Sequence, residues 1–240
     1  MAAILADCGI NCVYHCTPLH YAPWILSDRM LRSRKLLGDQ GFSQHHFRST
    51  SSSTDARRGF QDFVFFGVSP EIKLLKAKLE RGFPHYLIEV PTSQIAQRTF
   101  FLSKRNIAKS RNFRGAKQEP IIDRTCESYW GNLLLPVAGS DQQKRAMLHK
   151  FRDVEVMVEG RIDLRSGVRL LAFSREDQSA LESISRTVGS AFRVVLQPDE
   201  KYVRHPKHVE EIEQFIKTAL ADRNWRGDQL DFDDLKRQNK

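Results

Sequence analysis

Asp153-Val154-Glu155-Val156-Met157-Val158-Glu159-Gly160 alternates apolar and other residues with the period of a half-buried β-strand and ends at a glycine. That period turns Val154, Val156 and Val158 toward a core and puts Glu155, Met157 and Glu159 on the opposite face. A carboxylate on that face is either washed by water or lodged in a cleft where it can do chemistry. Glu159 lies about 13 Å from Glu155 at strand rise, too far for both to serve one reacting carbon.

Further strands surround this one in the sequence. Downstream, Leu170-Leu171-Ala172-Phe173 and Arg193-Val194-Val195-Leu196 read as strands separated by a helix from about Glu176 to Thr187. Glu210 to Ala221 reads as an amphipathic helix with Ile212, Phe215 and Leu220 on its apolar side. Upstream, Tyr86-Leu87-Ile88-Glu89-Val90 is a strand stopped by Pro91, and Phe63-Val64-Phe65-Phe66-Gly67-Val68 is a buried one. Ser69-Pro70-Glu71 opens a helix with Ile72, Leu75 and Leu79 on one stripe, ended by Gly82. Asn11 to Cys16 is a first strand, turned by Thr17-Pro18 into a short helix from about Pro23 to Met30. Leu37 to Gly59 lacks apolar periodicity and reads as a long loop. Short strands interleaved with helices predict an α+β fold.

Composition narrows the function. The 240 residues, 40% of them hydrophobic, suffice for one sizeable core, so a single domain is expected. Lys and Arg outnumber Asp and Glu 38 to 29, a formal charge of +9, which favours an anionic partner such as nucleic acid. The excess is local: Lys104, Arg105, Lys109, Arg111, Arg114 and Lys117 lie in a run without an acidic residue, and Phe113 within it can stack on a base. Arg29, Arg32, Arg34 and Lys35 form a smaller cluster. A solvated surface is the plain alternative for both.

No apolar run has the length of a transmembrane helix, and the first residues lack the basic start of a signal peptide, so a cytoplasmic protein without membrane contact is expected. Cys8, Cys12, Cys16 and Cys126 fit neither a zinc ribbon nor a disulfide framework and are expected as reduced thiols, with no metal. The sequence has no Gly-x-Gly-x-x-Gly after a strand and no phosphate loop, which argues against dinucleotide oxidoreductases and ordinary NTPases. It also lacks His-Glu-x-x-His and Gly-x-Ser-x-Gly.

Tyr14-His15-Cys16-Thr17, followed by Pro23-Trp24-Ile25-Leu26 and Met30-Leu31, resembles the opening of the DarT-type ADP-ribosyltransferases, a strand bearing His-x-Thr and then a helix. Other pieces follow in the family's order. Asp62-Phe63-Val64-Phe65-Phe66 resembles its aromatic strand, and Leu102-Ser103-Lys104-Arg105-Asn106-Ile107-Ala108 its Thr-Asp-Gly-Asn/His-Ala segment. Tyr129-Trp130, Lys144-Arg145 and Asp153 to Val158 resemble its Tyr-Trp, its basic loop and its Ala-Glu-x-Leu-Val strand. The resemblance runs from about Val13 to Leu164. The chain departs from it with Ser103-Lys104-Arg105 where Thr-Asp-Gly is usual.

The resemblance implies a single ADP-ribosyltransferase-like α+β domain over residues 1–240, with split mixed or antiparallel sheets around an NAD cleft, flanking helices and a loosely held charged tail over 222–240. It implies NAD⁺ as co-substrate, cleaved at the nicotinamide glycosidic bond, with ADP-ribose passed to a nucleobase. Single-stranded DNA is the favoured acceptor, because a paired base must be flipped out before it can attack. RNA and protein are the alternatives. Glu155 would stabilise the cation developing on the ribose or take the acceptor's proton. His15, with Thr17 beside it, would contact the nicotinamide ribose, and Asn106 would be a further polar contact. For the arginine that the family pairs with the NAD phosphates, Arg48, Arg57 and Arg58 compete. Spacing before the aromatic strand favours Arg48, and the Asp-x-Arg-Arg placement favours Arg57; Arg48 is chosen as the catalytic partner, with Arg57 as a second cofactor contact. Lys104, Arg105, Lys109, Arg111, Arg114, Lys144 and Arg145 would bind the nucleic-acid backbone, with Tyr129 and Trp130 near the base. Members of this family act as toxins or in phage defence and pair with a macrodomain-type antitoxin. A rival of another class is a nucleic-acid-binding module that keeps the fold without catalysis.

Overall fold

A computed structural model of the chain describes residues 10–42, 60–98, 100–103, 154–200 and 202–222. Strand β1 (Cys12–Pro18) runs through a short 3-10 turn (Leu19–Tyr21) into helix α1 (Ala22–Asp28). Then come β2 (Met30–Arg32), α2 (Arg34–Asp39), β3 (Phe63–Gly67), α3 (Lys73–Leu79), β4 (His85–Pro91), α4 (Thr92–Ile95) and β5 (Phe100–Ser103). The later part holds β6 (Glu155–Glu159), β7 (Arg161–Asp163), β8 (Arg169–Ala172), α5 (Arg175–Thr187), β9 (Arg193–Leu196) and α6 (Pro206–Ala221).

Seven strands form one sheet in the order β5-β6-β3-β1-β4-β8-β9, and β2 and β7 form a separate two-stranded ribbon. All neighbours in the large sheet are antiparallel except β8 and β9, which α5 joins as a crossover helix. This is the mixed, mostly antiparallel α+β architecture that the pattern of elements predicts. The main core lies on the sheet face carrying Val13, Phe66, Ile88, Val156, Val158 and Leu170, and takes in Leu26 of α1, Leu181 and Ile184 of α5, and Ile212 of α6. The other face is covered in part by Leu75 and Leu79 of α3, which pack on Leu87 and Leu171.

Local chemistry fixes the helix ends. The Ser174 side chain accepts the Asp177 N–H at 3.1 Å and caps α5, whose first turn carries Glu176 and Asp177 against the positive end of the helix dipole. α6 opens on Pro206, whose missing N–H costs nothing in a first turn. α1 ends at Arg29, left-handed at φ 50°.

Several expectations are corrected. Met30 leaves the first helix and begins β2, so the helix expected as far as Met30 stops at Asp28. Leu37 to Asp39, expected as loop, belong to α2, because the Ser33 hydroxyl caps that helix through the Leu36 N–H at 3.4 Å. The helix expected from Ser69 starts at Lys73. Met157 shares the alternate face with Glu155 yet is fully buried, packed on Phe60, Phe63 and Phe65.

Candidate functional site

The large sheet opens between β1 and β3. β1 pairs with β4 from Cys12↔Pro91 to Pro18↔His85, and β3 pairs with β6 from Phe63↔Glu159 to Gly67↔Glu155. Between themselves β1 and β3 share one registered pair, Tyr14↔Gly67. Beyond that pair no registered pair joins the two strands, and each is held by its outer neighbour.

His15 bridges the opening. Its Nδ1 donates to the Phe65 carbonyl at 2.9 Å, and its ring meets Phe66 edge-on with centroids 5.7 Å apart. A carbonyl only accepts, so the proton sits on Nδ1 and Nε2 is left with a lone pair in the neutral ring. Burial holds the imidazole below its ordinary pKa of 6.5; the Phe65 hydrogen bond acts the other way and the Arg34 charge reinforces the lowering. Thr17, two residues on, is buried.

Glu155 stands at the head of β6, half-buried and in register with Gly67 on one side and Ser103 on the other. Registered residues share a face, so Ser103, Glu155, Gly67, Tyr14, Glu89 and Arg169 form one row across the sheet. By alternation His15 projects from the other face of β1, next to the Tyr14↔Gly67 pair. Gly67 leaves room for Ile72 in this row: a Cβ there would lie 3.1 Å from Ile72 Cγ1 and 3.2 Å from Cδ1, so the Ile72 side chain would have to shift by a few tenths of an ångström.

The row continues into a polar cluster. Arg169 donates to Glu89 Oε1 from Nε at 2.6 Å, and Cys12 Sγ lies 3.6 Å from the same oxygen. Burial, and then the Glu89 charge, push the Tyr14 hydroxyl up to about 12 and the Cys12 thiol up to about 11; burial pushes Cys16 up to about 12. Cys12 and Cys16 are free thiols, and the upward shift favours their protonated form at neutral pH. Among the described residues, no group of three or more His, Cys, Asp or Glu side chains has the geometry to hold a metal. A cavity lined by Ser174, Tyr202, Arg204 and Glu213 lies by α5 and α6, with no residue from β1, β3 or β6.

His15 and Thr17 stand on β1 beside the gap between β1 and β3, and Glu155 stands on β6, beyond β3 and on the opposite face of the sheet. Arg48, Arg57, Arg58, Asn106, Lys104, Arg105, Lys109, Arg111, Arg114, Tyr129, Trp130, Lys144 and Arg145 lie outside the described residues. Arg34, which acts electrostatically on His15, was legible in the sequence only as one member of a basic cluster, and Gly67 only as the end of a strand.

No family model matches the sequence, and no match was found among curated proteins. Among solved structures, DarT of Thermus sp. 2.9 in complex with ADP-ribosylated single-stranded DNA is similar at a TM-score of 0.54 and 15% identity, over 81% of this chain and 97% of that one. The chain has the DarT fold. The same DarT in complex with NAD⁺ is similar at a TM-score of 0.51 and 14% identity, over 80% of this chain and 98% of that one. Its complex with carba-NAD⁺ is similar at 0.50 and 14%, over the same shares. The likeness to DarT therefore takes in nearly all of that protein and four-fifths of this one.

Proposed function

We propose that this protein is an NAD-dependent ADP-ribosyltransferase that moves ADP-ribose from NAD⁺ to a base of single-stranded DNA. The observation that carries the reading is a fold shared with an enzyme solved with NAD⁺ and with ADP-ribosylated single-stranded DNA; it is supported by an acceptor nitrogen on His15 of β1 and a half-buried carboxylate on Glu155 of β6, two strands away. No metal is called for by this chemistry.

His15 Nε2, held as an acceptor by the Nδ1 contact to Phe65, suits a ribose hydroxyl. As the bond from the ribose carbon to nicotinamide breaks, its electron pair leaves with the neutral nicotinamide ring nitrogen, and positive charge builds on the ribose. Glu155 stabilises that charge, and a fixed carboxylate in a partly buried site does so better than water. A base nitrogen then forms the new bond to the ribose carbon, and the proton it sheds passes to Glu155 or to water. A base in single strands presents that nitrogen without an unpairing cost. Arg48, with Arg57, is our choice for the diphosphate, and the 104–117 and 144–145 clusters for the acceptor backbone.

We read the 240 residues as one catalytic domain acting in the cytoplasm. ADP-ribose on a base blocks its pairing, so expression should arrest growth, as suits a toxin or a phage-defence effector. A macrodomain-type partner that removes the mark should relieve the arrest.

The test is labelled NAD⁺ offered with single-stranded DNA, duplex DNA, RNA and protein. Glu155→Gln should lower labelling of single-stranded DNA by about 100- to 1000-fold, the usual cost of one electrostatic stabiliser, and leave DNA affinity nearly unchanged. Undiminished labelling would remove Glu155 from the chemistry. Label on RNA or protein alone would move the acceptor, and DNA binding without any NAD⁺ consumption would support the non-catalytic module.

A further inference from the structure

The ribbon of β2 and β7 gathers positive charge that the sequence scatters over more than a hundred residues. Leu31 and Ile162, paired across it, are buried in the main core, so Arg32 and Arg161, also paired, lie on the opposite face, where Arg161 is exposed and Arg32, held by Asp28, is 13% exposed. Like charges directly opposite one another across an antiparallel pair are a cost to the fold. Their surroundings add to it: Lys35 of α2, Arg98 beyond α4 and Arg165 just past β7 flank the ribbon.

The nearby acidic groups compensate this charge poorly. Asp28 takes Arg32 at 2.7 Å. Asp163 stands between two guanidiniums, 3.8 Å from Arg98 and 3.9 Å from Arg161, both beyond the length of a charge-assisted hydrogen bond. Asp62 lies 3.8 Å from Lys35. Arg98 and Arg161 keep 41% and 58% of their side chains exposed, enough to engage a second anion without leaving the surface.

The ribbon is also rigidly tied to the strand carrying Glu155. Gly160 alone separates β6 from β7; its N–H donates to the Asp62 carbonyl at 2.7 Å, and its carbonyl accepts the Ser33 N–H at 2.8 Å. Gln94 fixes the far end, its Oε1 accepting the Arg165 N–H at 3.1 Å and its Nε2 donating to the Ser166 carbonyl at 2.9 Å.

We propose that the outer face of the β2–β7 ribbon, through Arg98, Arg161 and Arg165, binds the phosphate backbone of the single-stranded acceptor beyond the modified base. This rests on the function proposed above for the sheet opening. The ribbon lies past the Glu159 end of β6, so contacts there anchor a strand without touching the reacting carbon.

The experiment measures affinity for a fluorescent single-stranded oligonucleotide over a range of NaCl concentrations, for the full chain and for R98Q/R161Q/R165Q. It also measures NAD⁺ hydrolysis without acceptor. All three side chains are on the surface, and the far-UV spectrum checks the fold. The variant should bind at least about tenfold more weakly at low salt, with a log–log salt slope shallower by about 2, since each single-strand phosphate contact contributes about 0.7. Its NAD⁺ hydrolysis should match that of the parent. An unchanged slope overturns the proposal, as does a raised KM for NAD⁺ with an unchanged slope, which would assign the ribbon to the dinucleotide. A parent chain that does not bind the oligonucleotide also overturns it. A parent that binds DNA but never consumes NAD⁺ defeats the enzymatic reading alone, and the slope of the variant still decides the ribbon.

Discussion

His15 reads in the sequence as a lone histidine in an apolar strand, where a structural role is the ordinary outcome, and only the order of short matches around it singles it out. What the sequence could not contain is the Phe65 carbonyl fifty residues away that fixes its tautomer. The strand around Glu155 announces its own alternation, but that pattern does not rank Glu155 above Glu159, and the same ordered matches single it out. Burial keeps His15 below its usual pKa, so the unfolded chain binds its proton more readily and stability is lost as pH falls below 6.5. Protonation also turns Nε2 from acceptor to donor. NAD⁺ consumption should therefore hold steady from alkaline pH down to about 6.5 and decline only below it. His15→Asn should raise the KM for NAD⁺ and remove that acid decline from the pH profile; a variant with the parental acid limb would show that another group titrates there.

Elements with enough residues to display a period were read in kind, though not always in extent: α6 begins at Pro206, four residues before the expected Glu210, and α3 begins at Lys73. β4, β8, β9, α5 and α6 each carry their own apolar pattern. β2 and β7 hold three residues apiece and exist because each supplies the other's hydrogen bonds, which no local pattern reveals. β4 shows the limit within a well-read element: the strand is evident, but its central position buries every residue from His85 to Val90, including the titratable His85, Tyr86 and Glu89. Glu89 is compensated by Arg169. His85 has a Phe83 carbonyl at 3.1 Å, and burial, reinforced by the Lys78 charge, still brings it down from 6.5 to about 4. Between those two values the unfolded chain binds more protons, so stability falls as pH drops and the loss is complete below about 4. Two and a half pH units correspond to about 3 kcal/mol. In urea unfolding of the parent and His85→Gln at pH 7 and pH 4, the parent should lose about 3 kcal/mol more than the variant across that interval. Equal losses would show that His85 is accessible to water.

Over the whole molecule the excess of positive charge was plain from composition, but its distribution over the ribbon and sheet depends on pairings that composition does not encode. The same is true of the link that seats the last helix. Asp177, in the first turn of α5, is fully buried; Arg204, just before α6, donates to its Oδ1 from Nε at 2.7 Å and from Nη2 at 2.5 Å. Burial raises the Asp177 carboxyl, and the Arg204 charge opposes the rise. The link matters beyond its own residues because α6 brings Phe215 against His20 and Trp24, with ring centroids 5.0 and 5.4 Å apart, at the base of the segment leaving β1. Removing one partner strands a buried charge, whereas removing both need not. Arg204→Met should therefore cost about 3–5 kcal/mol in urea unfolding, and adding Asp177→Leu should restore a large part of that loss rather than deepen it. Because the loosened segment adjoins Thr17, Arg204→Met should also raise the KM for NAD⁺ in conditions where the protein remains folded. Losses that simply add in the double variant would mean that Arg204 and Asp177 act separately, and α6 would then be held by its apolar face alone.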